Sequence, residues 1–393
     1  MSTELMSAPA PGNPYRHSRP SLWRHLDLLL VACVVAIGAF GTLMVYTATR
    51  DQLQAQGVSP QYYLKKQALY MVIGLVVMFA VAAIDYHRYR DLAPILYGGS
   101  LLMLLGVMVV GHKSKGAQAW FQFGTYQLEP SEFVKIGLIV ALATYCANFK
   151  GDLPRRAMIV VLVLAAIPFV LIYKQPDLGT ALVLGAVLVA MLLVAGTRGR
   201  HLAVLGLVAV VGMTGIVHFG VLKSYQKDRL TAFVSSPDQP KASLLRSAAG
   251  ANQYNIAESK ITISNGGLTG KGIGHGTQTN LSYVPEQRTD FIFTAVGEQL
   301  GLVGSALLIA LFAMVVWRTW RAATLSRDFV GTLICVGVLA MLVFQIFENI
   351  GMTMGIMPVA GIPLPFMSYG GSAVIATFAG VGLVLNVRMR RYA

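Results

Sequence analysis

The stretch ESKITISNGGLTGKGIGHGTQTNLSYVPEQRTDFIFTAVGE, residues 258–298, is a polar, glycine-rich island in a chain that is otherwise mostly apolar. It carries charge of both signs and passes through Arg288-Thr289-Asp290 just before an apolar run resumes at Phe291. On either side, apolar runs recur that are long enough for helices to cross a bilayer, which takes roughly 20 residues for about 30 Å of hydrocarbon. The pattern reads as an integral membrane bundle, with this island as the one place built for chemistry.

Composition agrees. Of 393 residues, 55% are hydrophobic and only 12% are charged, whereas a soluble globular domain averages about 25% charged. One bundle can absorb the whole length, so length alone implies no second domain. The net charge of +14 would suggest nucleic acid in a soluble protein. Here Lys and Arg lie in short clusters between apolar runs, where membrane topology accounts for them, and no nucleic-acid partner is expected. Cys33, Cys146 and Cys335 each sit inside an apolar run and read as small buried residues. No zinc spacing, Ser-His-Asp pattern or Walker motif is present, and His275 is a single histidine in a glycine-rich loop.

Ten apolar runs, near 26–47, 67–84, 93–111, 132–148, 157–173, 179–196, 202–222, 291–317, 329–350 and 372–387, predict an all-α membrane domain of ten transmembrane helices over 26–387. An even count puts both termini on one side. Arg16, Arg19 and Arg24 precede the first run. Alternate loops carry Arg88 and Arg90, Lys150 with Arg155 and Arg156, Arg198 and Arg200, Arg318 with Arg321 and Arg327, then Arg388, Arg390 and Arg391. The positive-inside rule puts all of these in the cytoplasm, with residues 1–25 and 388–393 as short cytoplasmic tails. No signal-peptide cleavage pattern follows the first run.

The opposite loops are less ordinary. Residues 58–66 form an amphipathic segment expected along the outer interface. Residues 112–131 form a loop with Trp120 and Phe121, Gln175-Pro-Asp177 a very short one, and 351–371 an uncharged Gly/Pro-rich one. The longest, 223–289, is basic: Lys223, Lys227, Arg229, Lys241, Arg246, Lys260, Lys271 and Arg288 stand against Asp228, Asp238, Glu258 and Glu286. Loops beyond about 60 residues escape the positive-inside rule, so the excess points to an anionic substrate. Within it, Tyr254 to Ser264 reads as helical and the glycines after it as irregular backbone.

Asp290 has two readings. It is either the cap of the helix that follows or a general base, with its pKa tuned by desolvation and its charge held by Arg288. Glu286 is a solvated loop charge or a second acid. Glu298 lies inside the next apolar run, where it is expected to find a basic partner. Glu132 and Lys135, at i and i+3, either pair with each other or present Lys135 to an anion. Asp177 and Glu348 are deep charges that should also find partners. The glycine run with Lys271 has the composition of a phosphate cradle but lacks the strand–loop–helix context. Its amides, together with Lys260, Lys271 and Arg288, are the better candidates for holding an anionic group. Trp120 is an interfacial anchor or flanks a sugar or lipid path.

Several ordered motifs carry a resemblance over almost the whole chain from residue 26. They are Gly116-Ala-Gln-Ala-Trp120-Phe, Glu129-Pro-Ser-Glu132-Phe-Val-Lys135 and Gln175-Pro-Asp177-Leu-Gly-Thr180. Gly272-Ile-Gly-His-Gly-Thr-Gln278, Val284-Pro-Glu-Gln-Arg-Thr-Asp290-Phe-Ile-Phe293 and Gly361-Ile-Pro-Leu-Pro-Phe-Met-Ser-Tyr-Gly-Gly371 follow. The chain resembles the family of shape, elongation, division and sporulation proteins (SEDS). Ser-Lys260, Gly-Lys271-Gly and the GTQ resemble its elongation member, RodA, more than its division member, FtsW.

The resemblance implies a peptidoglycan glycosyltransferase of cell-wall elongation and rod shape. It would polymerise lipid II, the undecaprenyl-diphosphate-linked disaccharide pentapeptide, on the outer face of the bacterial plasma (inner) membrane. A class B penicillin-binding protein, a transpeptidase, is the implied partner. The family's essential aspartate falls on Asp290, its loop tryptophan on Trp120, and its Glu/Lys pair on Glu132 and Lys135. Arg288 stands where the family often has histidine. No fixed cofactor is implied; a divalent cation, Mg or Mn, held by carboxylates and phosphate is left open. The rival readings are a lipid II flippase and a non-catalytic scaffold.

Overall fold

The computed structural model describes residues 25–114, 117–149, 151–218 and 248–391. Its first part comprises helices α1 (Leu28–Ala55), α2 (Tyr62–Ala83), α3 (Tyr86–Asp91) and α4 (Ala93–Val110). After a small sheet come α5 (Pro130–Cys146), α6 (Arg155–Lys174), α7 (Leu178–Val194) and α8 (Gly199–His218). The last part holds α9 (Ala248–Asn265), α10 (Thr277–Asn280), α11 (Ile292–Thr324), α12 (Phe329–Thr353) and α13 (Gly371–Met389). In hydrocarbon no water can pair with the main chain, so apolar runs of this length close their hydrogen bonds internally as helices.

Eight of the helices are long and apolar enough to cross a membrane, among the described residues. Two shorter apolar stretches, Leu178–Val194 and Gly199–Val208, coincide with the sixth and seventh predicted runs. Aspartates open four helices: Asp27, Asp85, Asp177 and Asp328 accept hydrogen bonds from the first-turn amides of α1, α3, α7 and α12. Lys223, Lys227, Arg229, Lys241 and Arg246, with Asp228 and Asp238, lie outside the described residues, as do Arg16, Arg19, Arg24 and Lys150.

The all-α membrane class holds, with one small addition. The loop around Trp120 is a three-stranded antiparallel sheet, β1 (His112–Ser114), β2 (Ala117–Phe123) and β3 (Tyr126–Leu128), in that order. Phe121 faces Leu128 and Phe123 faces Tyr126 across a two-residue turn at Gly124 and Thr125. The alternation Ala-Gln-Ala-Trp-Phe-Gln-Phe is the period-two pattern of a strand, and Gly124, with φ 61°, supplies the positive dihedral of a tight hairpin.

The core is continuous from α1 and α2 through α5, α7, α12 and α13. Small residues set the closest approaches: a side chain at Gly41 would meet the Met367 main chain, and one at Gly382 the carbonyl of Met78. Packing without large side chains is how membrane helices come together. Val109, Val110, Leu102 and Ile95 face outward and exposed, as lipid-facing residues do. At one end of the bundle Asp27 is bound by Arg318 at 2.6 Å and Arg388 at 2.5 Å, tying α1, α11 and α13 together. The sheet and the loops flanking Asp290 lie at the other.

Candidate active site

The glycine-rich segment is built onto a break in a helix. Gly301 interrupts α11 with φ 63° and ψ −158°, a conformation open to glycine alone. The break leaves main-chain groups unpaired, and the glycine segment takes them up. Lys271 N–H donates to Glu298 O (3.0 Å), Gly272 N–H to Gln299 O (2.9 Å), Leu302 N–H to Gly267 O (2.9 Å) and Val303 N–H to Leu268 O (3.1 Å). A Cβ at Gly301 would meet Gly270 N at 2.4 Å, so both chains need glycine here.

Glu298, whose side chain is wholly buried, closes the same unit. It accepts from Gln278 N–H (2.9 Å), Thr279 N–H (2.8 Å), Thr279 Oγ1 (2.7 Å), Thr277 Oγ1 (3.2 Å) and Lys271 Nζ (3.2 Å). The expected basic partner is therefore Lys271. The reading of this loop's amides as an anion cradle is corrected: Lys271, Gly272, Gln278 and Thr279 give their N–H groups to α11, and Gly274 gives its own to Gln299 Oε1. Lys260 lies elsewhere, exposed on α9 against Gly355.

Asp290 sits at a different junction. It does not cap α11: the cap position is Phe291, and no side chain caps it. Instead Asp290 and the two residues before it are laced to residues 362–369, in part through Asn349. Ser368 Oγ donates to Thr289 O (2.5 Å), Tyr369 N–H to Arg288 O (2.9 Å), and Asn349 Nδ2 to Asp290 O (2.8 Å) and Ile362 O (2.7 Å). Glu286, at φ 55°, turns the chain, its carbonyl accepting from Thr289 N–H and Phe291 N–H. The Asp290 carboxylate lies beside Gly361, where a Cβ would come within 3.5 Å of Oδ2. Gly361 itself has φ 74°, so the backbone beside the carboxylate requires glycine.

Arg288 stacks its guanidinium over Tyr63 at 4.5 Å, and Tyr63 meets Tyr369 edge to face at 5.0 Å. Its Nε is buried and donates to no described residue. A buried guanidinium N–H without a protein acceptor is the kind of group able to meet an anion. The start of α2, expected at the interface, supplies the ring on which it rests.

The third wall is acidic and deep. Trp120 Nε1 donates to Glu129 Oε2 at 3.1 Å, and Ser131 Oγ to Glu129 Oε1 at 2.9 Å. Ser372 Oγ accepts from Glu129 N–H at 2.8 Å, joining this wall to α13. Burial pushes the Glu129 carboxyl up to about 8, with the charges of Asp177 and Glu132 adding to it. One turn into α5, Glu132 Oε2 lies 2.8 Å from Lys135 Nζ, and both side chains are nearly inaccessible. Asp177 caps α7, and a side chain at Gly179 would strike Ile362 and Ala360, so α7 begins beside the turn at the Asp290 carboxylate.

The structure thus brings Asp290, Arg288 and Glu286 together on one segment and groups Trp120, Glu132 and Lys135 around Glu129. It sets Lys271 on Glu298 and leaves Lys260 apart. Glu129 was missed as a site residue. Its signal is a Glu-Pro pair opening an apolar helix, which places a carboxylate at the membrane boundary. Glu348, expected to find a partner, receives no hydrogen bond from a described residue. Among the described residues no three His, Cys, Asp or Glu gather as a metal site.

Residues 27–393 match the family model described as cell cycle protein, under the joint name FtsW, RodA and SpoVE. The chain is 35% identical to a probable peptidoglycan glycosyltransferase FtsW of Geobacter metallireducens, covering 93% of this chain and 95% of that one. It is 34% identical to peptidoglycan glycosyltransferase MrdB of Escherichia coli K12, covering 93% and 94%. Among solved structures, the rod shape determining protein RodA of Thermus thermophilus superposes with a TM-score of 0.69 at 30% identity, covering 95% and 100%. A chain from a study of how a peptidoglycan synthase complex coordinates polymerisation and crosslinking gives 0.77 at 32%, covering 93% and 98%.

Proposed function

Because the chain belongs to the FtsW, RodA and SpoVE family, we propose that it is a peptidoglycan glycosyltransferase that polymerises lipid II, with Asp290 as general base. The observation that carries this reading is the mounting of Asp290. The segment from Arg288 to Asp290 is fixed by Asn349, Ser368 and Tyr369; the Asp290 carboxylate stands against Gly361, and Arg288 on the same segment has a buried Nε without a protein acceptor. A carboxylate on a fixed segment that also carries a guanidinium suits a reaction that removes a proton and releases a diphosphate.

In this mechanism the Asp290 carboxylate takes the proton of the acceptor's GlcNAc 4-hydroxyl. The oxygen attacks the anomeric carbon of the donor's MurNAc, and the bond to the diphosphate breaks with its electron pair. Arg288 meets the developing charge on undecaprenyl diphosphate. Trp120, held by Glu129, lines the sugar side. The lipid tail stays in the bilayer, which explains an active site at one end of a membrane bundle. The cluster of Arg318, Arg388 and Arg390 at the opposite end supports an orientation with that end and both termini in the cytoplasm and Asp290 outside. The elongation role rests on Lys260, Gly-Lys271-Gly and the GTQ, and a class B penicillin-binding protein is the proposed partner.

Purified protein in detergent, supplied with lipid II and the partner transpeptidase, is expected to make glycan polymer. Asp290→Asn should lose at least about a hundredfold in rate, the low end of what a general base contributes, with an unchanged melting temperature. Polymer from the variant at the wild-type rate would sink the mechanism. Lipid translocation by wild type in vesicles without polymer would favour the flippase reading.

A further inference from the structure

Glu348 lies in α12 with none of its side chain exposed, and neither of its carboxylate oxygens accepts a hydrogen bond from a described residue. Gln345, one turn earlier and 2% exposed, has an unpaired Oε1. The adjacent Asn349 is fully buried, and its Oδ1 is unpaired while its Nδ2 holds two carbonyls. Positions i, i+3 and i+4 share one helix face. Four acceptor oxygens without donors therefore gather on the buried side of one helix.

An ionised carboxylate cannot stay isolated in apolar surroundings. A unit of positive charge must accompany Glu348, and three carriers exist. A basic side chain is one, but no described residue donates to either Glu348 oxygen. A proton is the second, and it serves only one oxygen of the four. A small metal cation is the third, and carboxylate and carboxamide oxygens are the hard donors such ions prefer. Charge decides its valence. One carboxylate balances a monovalent ion, whereas a divalent ion would leave a net charge in a low dielectric.

We propose that Gln345, Glu348 and Asn349 form a buried sodium site on the inward face of α12. Asn349 Nδ2 is the donor that fixes the carbonyls of Asp290 and Ile362. The ion therefore holds, through Asn349, the two chain segments that flank the Asp290 carboxylate. It acts as a structural brace and takes no part in bond breaking.

The test is thermal melting of the purified protein with sodium chloride titrated against choline chloride at constant ionic strength. Wild type should gain several degrees along a saturable curve. Glu348→Gln, a neutral side chain of the same shape, should fold and show no sodium dependence. Gln345→Glu adds a second carboxylate and should move the preference from sodium to calcium. The proposal is overturned if wild type melts at the same temperature throughout the titration, which leaves a protonated carboxyl. It is equally overturned if Glu348→Gln keeps the full sodium effect. Should Glu348→Gln not fold, an unaltered ion preference in Gln345→Glu overturns it.

Discussion

Two carboxylates stand eight positions apart and are treated in opposite ways. Glu298 is completely buried, and its oxygens are filled by two amides, two hydroxyls and an ammonium. Asp290 is only partly buried; its main chain is clamped while its carboxylate faces a glycine. Both lie in the same polar island and look alike as sequence. Saturation makes the first a structural lock, because every acceptor site is spoken for before any substrate arrives. A partly exposed carboxylate on a clamped main chain suits the second to exchange a proton.

The largest effect that would break this contrast is catalytic. Asp290→Asn is expected to cost activity without stability, and Glu298→Gln the reverse order of damage. Breaking a buried, fully hydrogen-bonded charge costs about 3–5 kcal/mol. Glu298→Gln should therefore lower the melting temperature in detergent by several degrees, and activity only as far as folding is lost. A variant with a normal melting curve and no polymer would move Glu298 into the chemistry.

Next in size is the helix break. Gly301→Ala forces a side chain into φ 63° and against Gly270 N, a strain of about 1–3 kcal/mol, visible as a lower melting temperature and faster proteolysis between 266 and 276. If alanine melts like wild type, the lock is looser than its hydrogen bonds imply. Lys271→Met comes third. Its partly exposed pair with Glu298 predicts a loss under about 1 kcal/mol, and polymerisation with an unchanged KM. A raised KM with unchanged stability would return Lys271 to the diphosphate.

The last effect is a pH dependence, read as a slope rather than as a single loss. The Glu129 carboxyl is raised to about 8 from an ordinary 4.5, so the unfolded chain gives up its proton at lower pH than the folded one. Its contribution to stability is present below about 4.5 and lost as pH rises towards about 8. The melting temperature of wild type should fall relative to Glu129→Gln across that window. Parallel curves would mean that Glu129 is ionised in the folded protein.

Much of this was legible beforehand, for definable reasons. Apolar length marks a helix that must satisfy its own backbone, so α1, α2 and α12 were readable as runs. The i and i+3 spacing of Glu132 and Lys135 is local, and the pair forms at 2.8 Å. Asp290 was readable as a candidate because a carboxylate opening an apolar run is costly. What failed was non-local. The glycine run looked like an anion cradle because composition does not say which amides are already bonded. Its partners, Glu298 O and Gln299 O, lie 27 positions away from Lys271 and Gly272.

By itself, then, the sequence determined a membrane bundle, its polar island, the Glu132–Lys135 pair and the residues worth suspecting. Those follow from hydrophobic length and from neighbours within one or two turns. Only the tertiary structure decided that Glu298 is saturated with donors while the main chain at Asp290 is clamped, that Glu129 holds Trp120, and that Glu348 receives no hydrogen bond from a described residue. Each of these depends on side chains that meet from distant segments, and hydrogen-bond saturation is a property of the meeting place.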